Sequence, residues 1–156
     1  MTQTRGAGVP RTLRHQAVAN RVVRGLLRTP LVCRLVGRHL VTVYAVGRRT
    51  GTRYAVPIAY ARDGSALVIG TAFRWARNLR TGEPVEIRLA GRRRVADVEV
   101  VTDEAGVVDC YALIVRGNRA FAGFNNIDVD GDGNPDAADL HEAWRAGARA
   151  VRLVPR

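Results

Sequence analysis

Residues 41–46, 53–61 and 66–71 are three short runs of valine, isoleucine, alanine and tyrosine, and the breaks between them read GRRTG and RDGS. Runs of that length and residue type, punctuated by glycine-containing turns, specify strands joined by tight connections rather than helices. Gly47 and Gly51 bracket Arg48, Arg49 and Thr50, so the backbone can bend sharply there and turn N–H groups and guanidiniums toward one anion. A solvated basic hairpin has the same composition, and GRRTG taken alone does not separate the two.

The rest of the chain supplies supporting elements. Residues 84–90 and 93–101 alternate as a second hairpin, turned at Gly91 and Arg92, and residues 103–115 pattern as a helix with Thr102 as its cap. At 156 residues and 47% hydrophobic, the chain fits one domain that buries roughly two thirds of its unfolded surface and needs no disulfide or metal to fold. Residues 1–12, with Gly6, Gly8 and Pro10, are expected to be disordered, which leaves 13–156 as the domain. Cys33 and Cys110 have no metal-ligand spacing and suit a reducing compartment.

Read together, the motifs run in order: GRRTG, Pro57 in the next strand, Arg62-Asp63-Gly64, Trp75 through Asn78 to Leu79, then Thr102-Asp103-Glu104 opening a helix. That order and spacing resembles the deazaflavin-dependent nitroreductase and quinone-reductase family over residues 40–105, and the final AVRLVPR is similar to the family's closing strand. The resemblance implies a mainly β, α+β chain: a split β-barrel of the FMN-binding-like type with flanking helices. It implies coenzyme F-420, a deazaflavin hydride carrier ending in a phosphate and a polyglutamate tail, with hydride passing to an apolar acceptor such as a quinone or nitroaromatic, and a homodimer. Arginine suits such a tail, because a guanidinium pairs with carboxylate or phosphate through two parallel hydrogen bonds and never deprotonates. Position by position, Arg48, Arg49, Thr50, Gly51 and Arg53 match the phosphate-side turn, Pro57 and Ile58 the strand beneath the deazaflavin, and Trp75 and Asn78 the closing loop.

The chain departs from the family pattern between Thr71 and Trp75, where only Ala72, Phe73 and Arg74 replace a longer loop containing glycine and lysine. Arg74 and Arg77 are candidates, by position alone, to replace the lost lysine. The shortened loop also leaves room for a different cofactor, FMN or haem, or for a non-catalytic carrier of flavin, haem or lipid on the same barrel. Tyr44, Tyr60, Tyr111, Phe121 and Phe124 are candidate walls of an acceptor pocket, although buried tyrosines are usually packed core. No catalytic acid or base is assigned: His15, His39 and His141 are scattered, and the single serine, Ser65, sits in a turn. A hydride carrier supplies the chemistry itself, and the protein positions it.

All 25 basic residues are arginine, against 14 acids, and no acid precedes Asp63, so the excess of +11 belongs to the front of the chain. Over residues 14–28, Arg14, Arg21, Arg24 and Arg28 share one side of a helical pattern, and Val22, Val23, Leu26 and Leu27 the other. Such a helix either covers one end of the barrel or lies peripherally on an anionic membrane, and covering is the commoner role. No nucleic-acid signature accompanies the basic stripe, so nucleic acid is not expected as a partner. With no secretory core and no run of about 20 apolar residues, the expected location is cytoplasmic, with membrane association as the alternative.

Residues 128–139 form a second local signal. Asp128, Asp130, Asp132, Asn134, Asp136 and Asp139 fall at the ligand positions of a calcium loop, with Gly133 at its turn. Asp139 is short for a bidentate ligand and Pro135 removes a loop N–H, so the preferred reading is an aspartate-rich turn in which Asp136 caps the following helix, with no metal expected.

Overall fold

The computed structural model describes residues 40–156. The expected tail at 1–12, the basic helix at 14–28, His15, Cys33 and His39 lie outside the described residues. In chain order the strands are β1 (Leu40–Val46), β2 (Arg53–Ala59), β3 (Ala61–Asp63), β4 (Ala66–Thr71), β5 (Val85–Leu89), β6 (Arg92–Val101) and β7 (Arg149–Pro155). A 3-10 helix (Arg74–Asn78) links β4 to β5, and α1 (Glu104–Gly117), α2 (Arg119–Phe124) and α3 (Ala137–Arg145) lie between β6 and β7. Every pairing is antiparallel, and the order across the sheet is β2-β1-β5-β6-β7-β4-β3.

Alternation along the strands decides which side chains turn inward. In β1 Val41, Val43 and Ala45 are buried, and register sets Val43 against Val56 on one side and Ile87 on the other. Leu67, Ile69, Val98 and Leu153 continue the same core, and the sheet curls around it until β2 approaches β4. The result is a split β-barrel with flanking helices. β2, at one edge, holds Pro57, and an edge strand is where a residue without an N–H is tolerated.

A second core lies on the outer face of β4 and β7. Val68 and Ala150 meet Val107, Tyr111, Ile114, Phe121 and Leu140 from the three α-helices there. The approach is close because β4 carries Gly70: a Cβ at that position would lie 2.7 Å from the Tyr111 ring and 2.9 Å from that of Phe121. Cys110 packs in this core, and burial pushes its thiol above the ordinary value despite the opposing influence of Arg152, so it behaves as a buried apolar group. A fully buried Val, Leu or Ile contributes about 1.5–3 kcal/mol, so two cores of this kind supply the main stabilisation of the described residues.

Three local expectations are corrected. The run 53–61 divides at Tyr60, a residue only 3% exposed in the inner core, because 53–59 pair with β1 and 61–63 with β4 at the other end of the sheet order. The second hairpin turns at Ala90 and Gly91, with φ of 49° and 80°, because a two-residue loop that matches strand twist needs left-handed backbone at both positions. Asp103, not Thr102, caps α1: its carboxylate accepts from the Gly106 N–H at 2.9 Å, while the Thr102 carbonyl accepts from Trp144 Nε1 of α3 at 3.0 Å. Asp136 caps α3, accepting from the Asp139 N–H at 3.0 Å. His141 Nδ1 lies 2.7 Å from Glu104 Oε1 and ties α3 to α1. Among the described residues, no helix is long and apolar enough to cross a membrane.

Candidate functional site

The turn between β1 and β2 is closed by its own backbone: Gly47 N–H donates to the Thr52 carbonyl and Gly51 N–H to the Gly47 carbonyl, both at 2.8 Å. Gly51 sits at φ +66°, which a side chain would resist. Thr50 Oγ1 accepts from Thr52 N–H at 3.2 Å, so that hydroxyl is used within the turn. Arg48 links the turn to the end of the 3-10 helix, its N–H lying 3.4 Å from Asn78 Oδ1 and its Nη2 3.4 Å from the Asn78 carbonyl.

Between this turn and the segment entering β5 opens a cleft of about 530 Å³, inside the usual range of roughly 300–1,000 Å³ for small-molecule sites. Arg48, Arg53 and Arg80 bring positive charge to it, Glu83 and Glu86 negative charge, and Tyr44, Val46, Leu79 and Pro84 apolar surface. Two of the arginines are already paired. Arg48 Nη2 lies 2.6 Å from Glu83 Oε2, and Arg53 Nη2 lies 2.6 Å from Glu86 Oε2. Glu86 Oε1 is also 3.1 Å from Arg93 Nη1, an ion-pair distance out of line for a hydrogen bond. The Arg53 and Arg93 guanidiniums stand 4.7 and 5.4 Å from the Tyr44 ring centre, so Tyr44, Glu86 and the two arginines form one interlocked set. Among the described residues Arg80 makes no ion pair.

Of the residues singled out from sequence, Arg48, Gly51, Arg53 and Asn78 line the cleft together. Arg49, Thr50, Arg74 and Arg77 do not, and Ile58 and Trp75 pack half-buried against the inner core, as Pro57 continues the edge strand. Sequence reasoning missed Arg80. The 3-10 helix ends at Asn78 and Leu79 returns to extended backbone, and Arg80 beyond it lines the cleft while Arg74 and Arg77 within the helix do not. Glu83 and Glu86 were missed as well, and only the register of β5 against β1, which pairs Glu86 with Tyr44, reveals them.

The aromatic candidates are dispersed. Tyr44 lines the arginine cleft, and Tyr60 belongs to the inner core with Arg62 5.7 Å above its ring. Tyr111 and Phe121 meet edge to face at 5.1 Å in the outer core, whereas Phe124 is 55% exposed and leans on Phe73 at 6.3 Å. The Tyr111 hydroxyl is buried with no hydrogen-bond partner among the described residues, and burial pushes its pKa well above the ordinary tyrosine value.

In the 128–139 loop the carboxylates of Asp130, Asp136 and Asp139 accept from backbone N–H groups. Asp130 Oδ1 accepts from the N–H groups of Asp132 and Asn134 at 2.9 and 2.8 Å, and Asp139 Oδ2 accepts from Asp128 N–H at 2.8 Å. The Asn134 backbone bond leads the causes that hold the Asp130 carboxyl below its usual value. A short bridge pairs Val129 with Pro135, and among the described residues no group of three or more His, Cys, Asp or Glu side chains is placed to hold a metal.

No protein-family model matches the sequence, and no curated protein matches it. Solved structures do. A conserved hypothetical protein from Mycobacterium tuberculosis is 14% identical, with 82% of this chain and 80% of that chain covered and a TM-score of 0.51. A domain-swapped dimer is 12% identical over 90% of this chain and 96% of that chain, also at 0.51. The likeness is one of fold. An F-420 reductase is 15% identical over 85% of this chain and 92% of that chain, with a TM-score of 0.44.

Proposed function

We propose that this protein is an oxidoreductase that binds coenzyme F-420 and passes hydride to an apolar acceptor such as a quinone or nitroaromatic. The observation that supports the reading most is the cleft itself, where Arg48, Arg53 and Arg80 converge beside the apolar surfaces of Tyr44, Val46, Leu79 and Pro84. That donor set fits a ligand with an anionic tail and a flat, weakly polar body. Bound, the deazaflavin would supply a hydride equivalent, a chemistry that no side chain of the cleft offers.

The work left to the protein is binding and orientation. Arg80 presents a guanidinium with no ion pair among the described residues and suits a phosphate or carboxylate, whereas Arg48, held against the Asn78 carbonyl, also carries Glu83. The Arg53 and Arg93 guanidiniums stand over the Tyr44 ring and fix its place in the cleft lining. A homodimer is part of the proposal, in keeping with the domain-swapped dimer that shares the fold.

Titration with oxidised F-420 tests this directly. Saturable binding that weakens with salt is expected, and Arg48→Ala with Arg80→Ala should weaken it by at least about ten-fold, since a charge-assisted hydrogen bond is worth about 1.5–3 kcal/mol before solvent screening. Consumption of reduced F-420 on adding menadione or a nitroaromatic would complete the assignment. Unchanged affinity in the double variant refutes the site, and binding without turnover across a broad acceptor panel makes the protein a carrier.

A further inference from the structure

Glu83 already holds one of the cleft's guanidiniums. Its carboxylate meets the Arg48 guanidinium at 2.6 Å, and both residues line the cleft. The two ion pairs of the cleft differ in kind. Glu86 is 33% exposed at its side chain and is held by Arg53 and Arg93, which also stack on Tyr44, so moving it would dismantle four side chains at once. Glu83 is 59% exposed, and Arg48 is its single partner among the described residues.

The backbone under Glu83 is held by several hydrogen bonds, while among the described residues its side chain is held by Arg48 alone. Gly82 N–H donates to the Val98 carbonyl, Glu83 N–H donates to the Arg80 carbonyl, and Pro84 follows at the entrance to β5. Thr81 Oγ1 accepts from Val100 N–H at 2.9 Å and pins the same turn to β6. Departure of the carboxylate therefore needs only side-chain rotation. Arg48 would stay in place through its contacts with Asn78.

We infer that Glu83 is an internal competitor for the cleft: in the free protein its carboxylate occupies Arg48, and an incoming phosphate or carboxylate binds by displacing it. The inference rests on the anion-binding part of the reading above. An exposed ion pair is weak enough to be exchanged for a better one, and a bidentate phosphate or a run of carboxylates is the better partner for a guanidinium. Glu83 thus sets a threshold: a singly charged anion gains little by replacing it, whereas a multiply charged tail that also reaches Arg80 gains a second cation.

The test compares wild type, Glu83→Gln and Glu99→Gln, titrated with inorganic pyrophosphate and separately with F-420. Glu99 is 62% exposed and outside the cleft, so its variant removes the same charge without touching Arg48. Glu83→Gln should bind pyrophosphate about five-fold more tightly than wild type, the size expected for relieving one exposed ion pair, and Glu99→Gln should stay within about two-fold. The gain should vanish when Arg48→Ala is added, which ties it to that guanidinium. Equal pyrophosphate affinity in wild type and Glu83→Gln, an equal gain in Glu99→Gln, or a gain that survives Arg48→Ala overturns the inference. A Glu83→Gln gain for pyrophosphate without F-420 binding in any variant upholds the competitor and removes the coenzyme, whereas F-420 binding that ignores Glu83 removes the competitor and keeps the coenzyme.

Discussion

Replacing Tyr111 by phenylalanine removes one oxygen atom from the outer core, and the protein should become more stable. The Tyr111 side chain is fully buried, its hydroxyl has no hydrogen-bond partner among the described residues, and its ring meets Phe121 edge to face at 5.1 Å. A buried hydroxyl without a partner carries its desolvation penalty uncompensated, about 1–3 kcal/mol. Phenylalanine keeps the ring contacts and leaves a gap too small to matter, so a gain of about 1–2 kcal/mol, or about 3–6 °C in Tm, is expected for a chain of this size. Urea unfolding should show a higher midpoint with an unchanged m value. The pH dependence gives a second reading. Burial raises the folded-state pKa of Tyr111, so its contribution is fully present below the unfolded pKa of about 10 and is lost as pH rises above that, by about 1.4 kcal/mol per unit. The variant lacks this loss, and its advantage over wild type should therefore widen above pH 10. If Tyr111→Phe is instead less stable at neutral pH, the hydroxyl holds a partner such as an ordered water, and the reasoning fails.

Two further outcomes follow from the same structure. Gly70→Ala should cost about 1–3 kcal/mol by overpacking, because the added methyl meets the Tyr111 and Phe121 rings below 3 Å, whereas Gly123→Ala in α2, with open space around it, should gain about 0.5–1 kcal/mol; equal effects in denaturant melts would contradict the close approach of α1 to β4. Millimolar calcium should leave Tm unchanged relative to chelator, because Asp130, Asp136 and Asp139 are engaged with backbone N–H groups; a calcium-dependent rise of several degrees would require a native-state site through mass action.

Local pieces were legible along the chain. Runs of β-branched residues gave strands, since side chains alternate across a pleated sheet whatever the partner strand turns out to be. Gly47 and Gly51 marked the β1–β2 turn, and Asp136 marked the start of α3, because turns and caps depend on residues within four positions of one another. The N-cap at Asp103 and the two-residue turn at Ala90 were displaced by one position from the sequence reading, as expected where neighbouring residues compete for the same local role. Tertiary structure alone decided the site. The sheet order sets β5 beside β1, and that non-local pairing brings Glu83 and Glu86 onto Arg48 and Arg53 from more than thirty residues away. It also sent the aromatic residues to separate places, Tyr60 inside the barrel and Tyr111 and Phe121 outside it, because the curl of the sheet and not the composition of a strand fixes which face meets which layer. Charge could be counted in the chain; which charges neutralise each other depended on a register that no local pattern encodes.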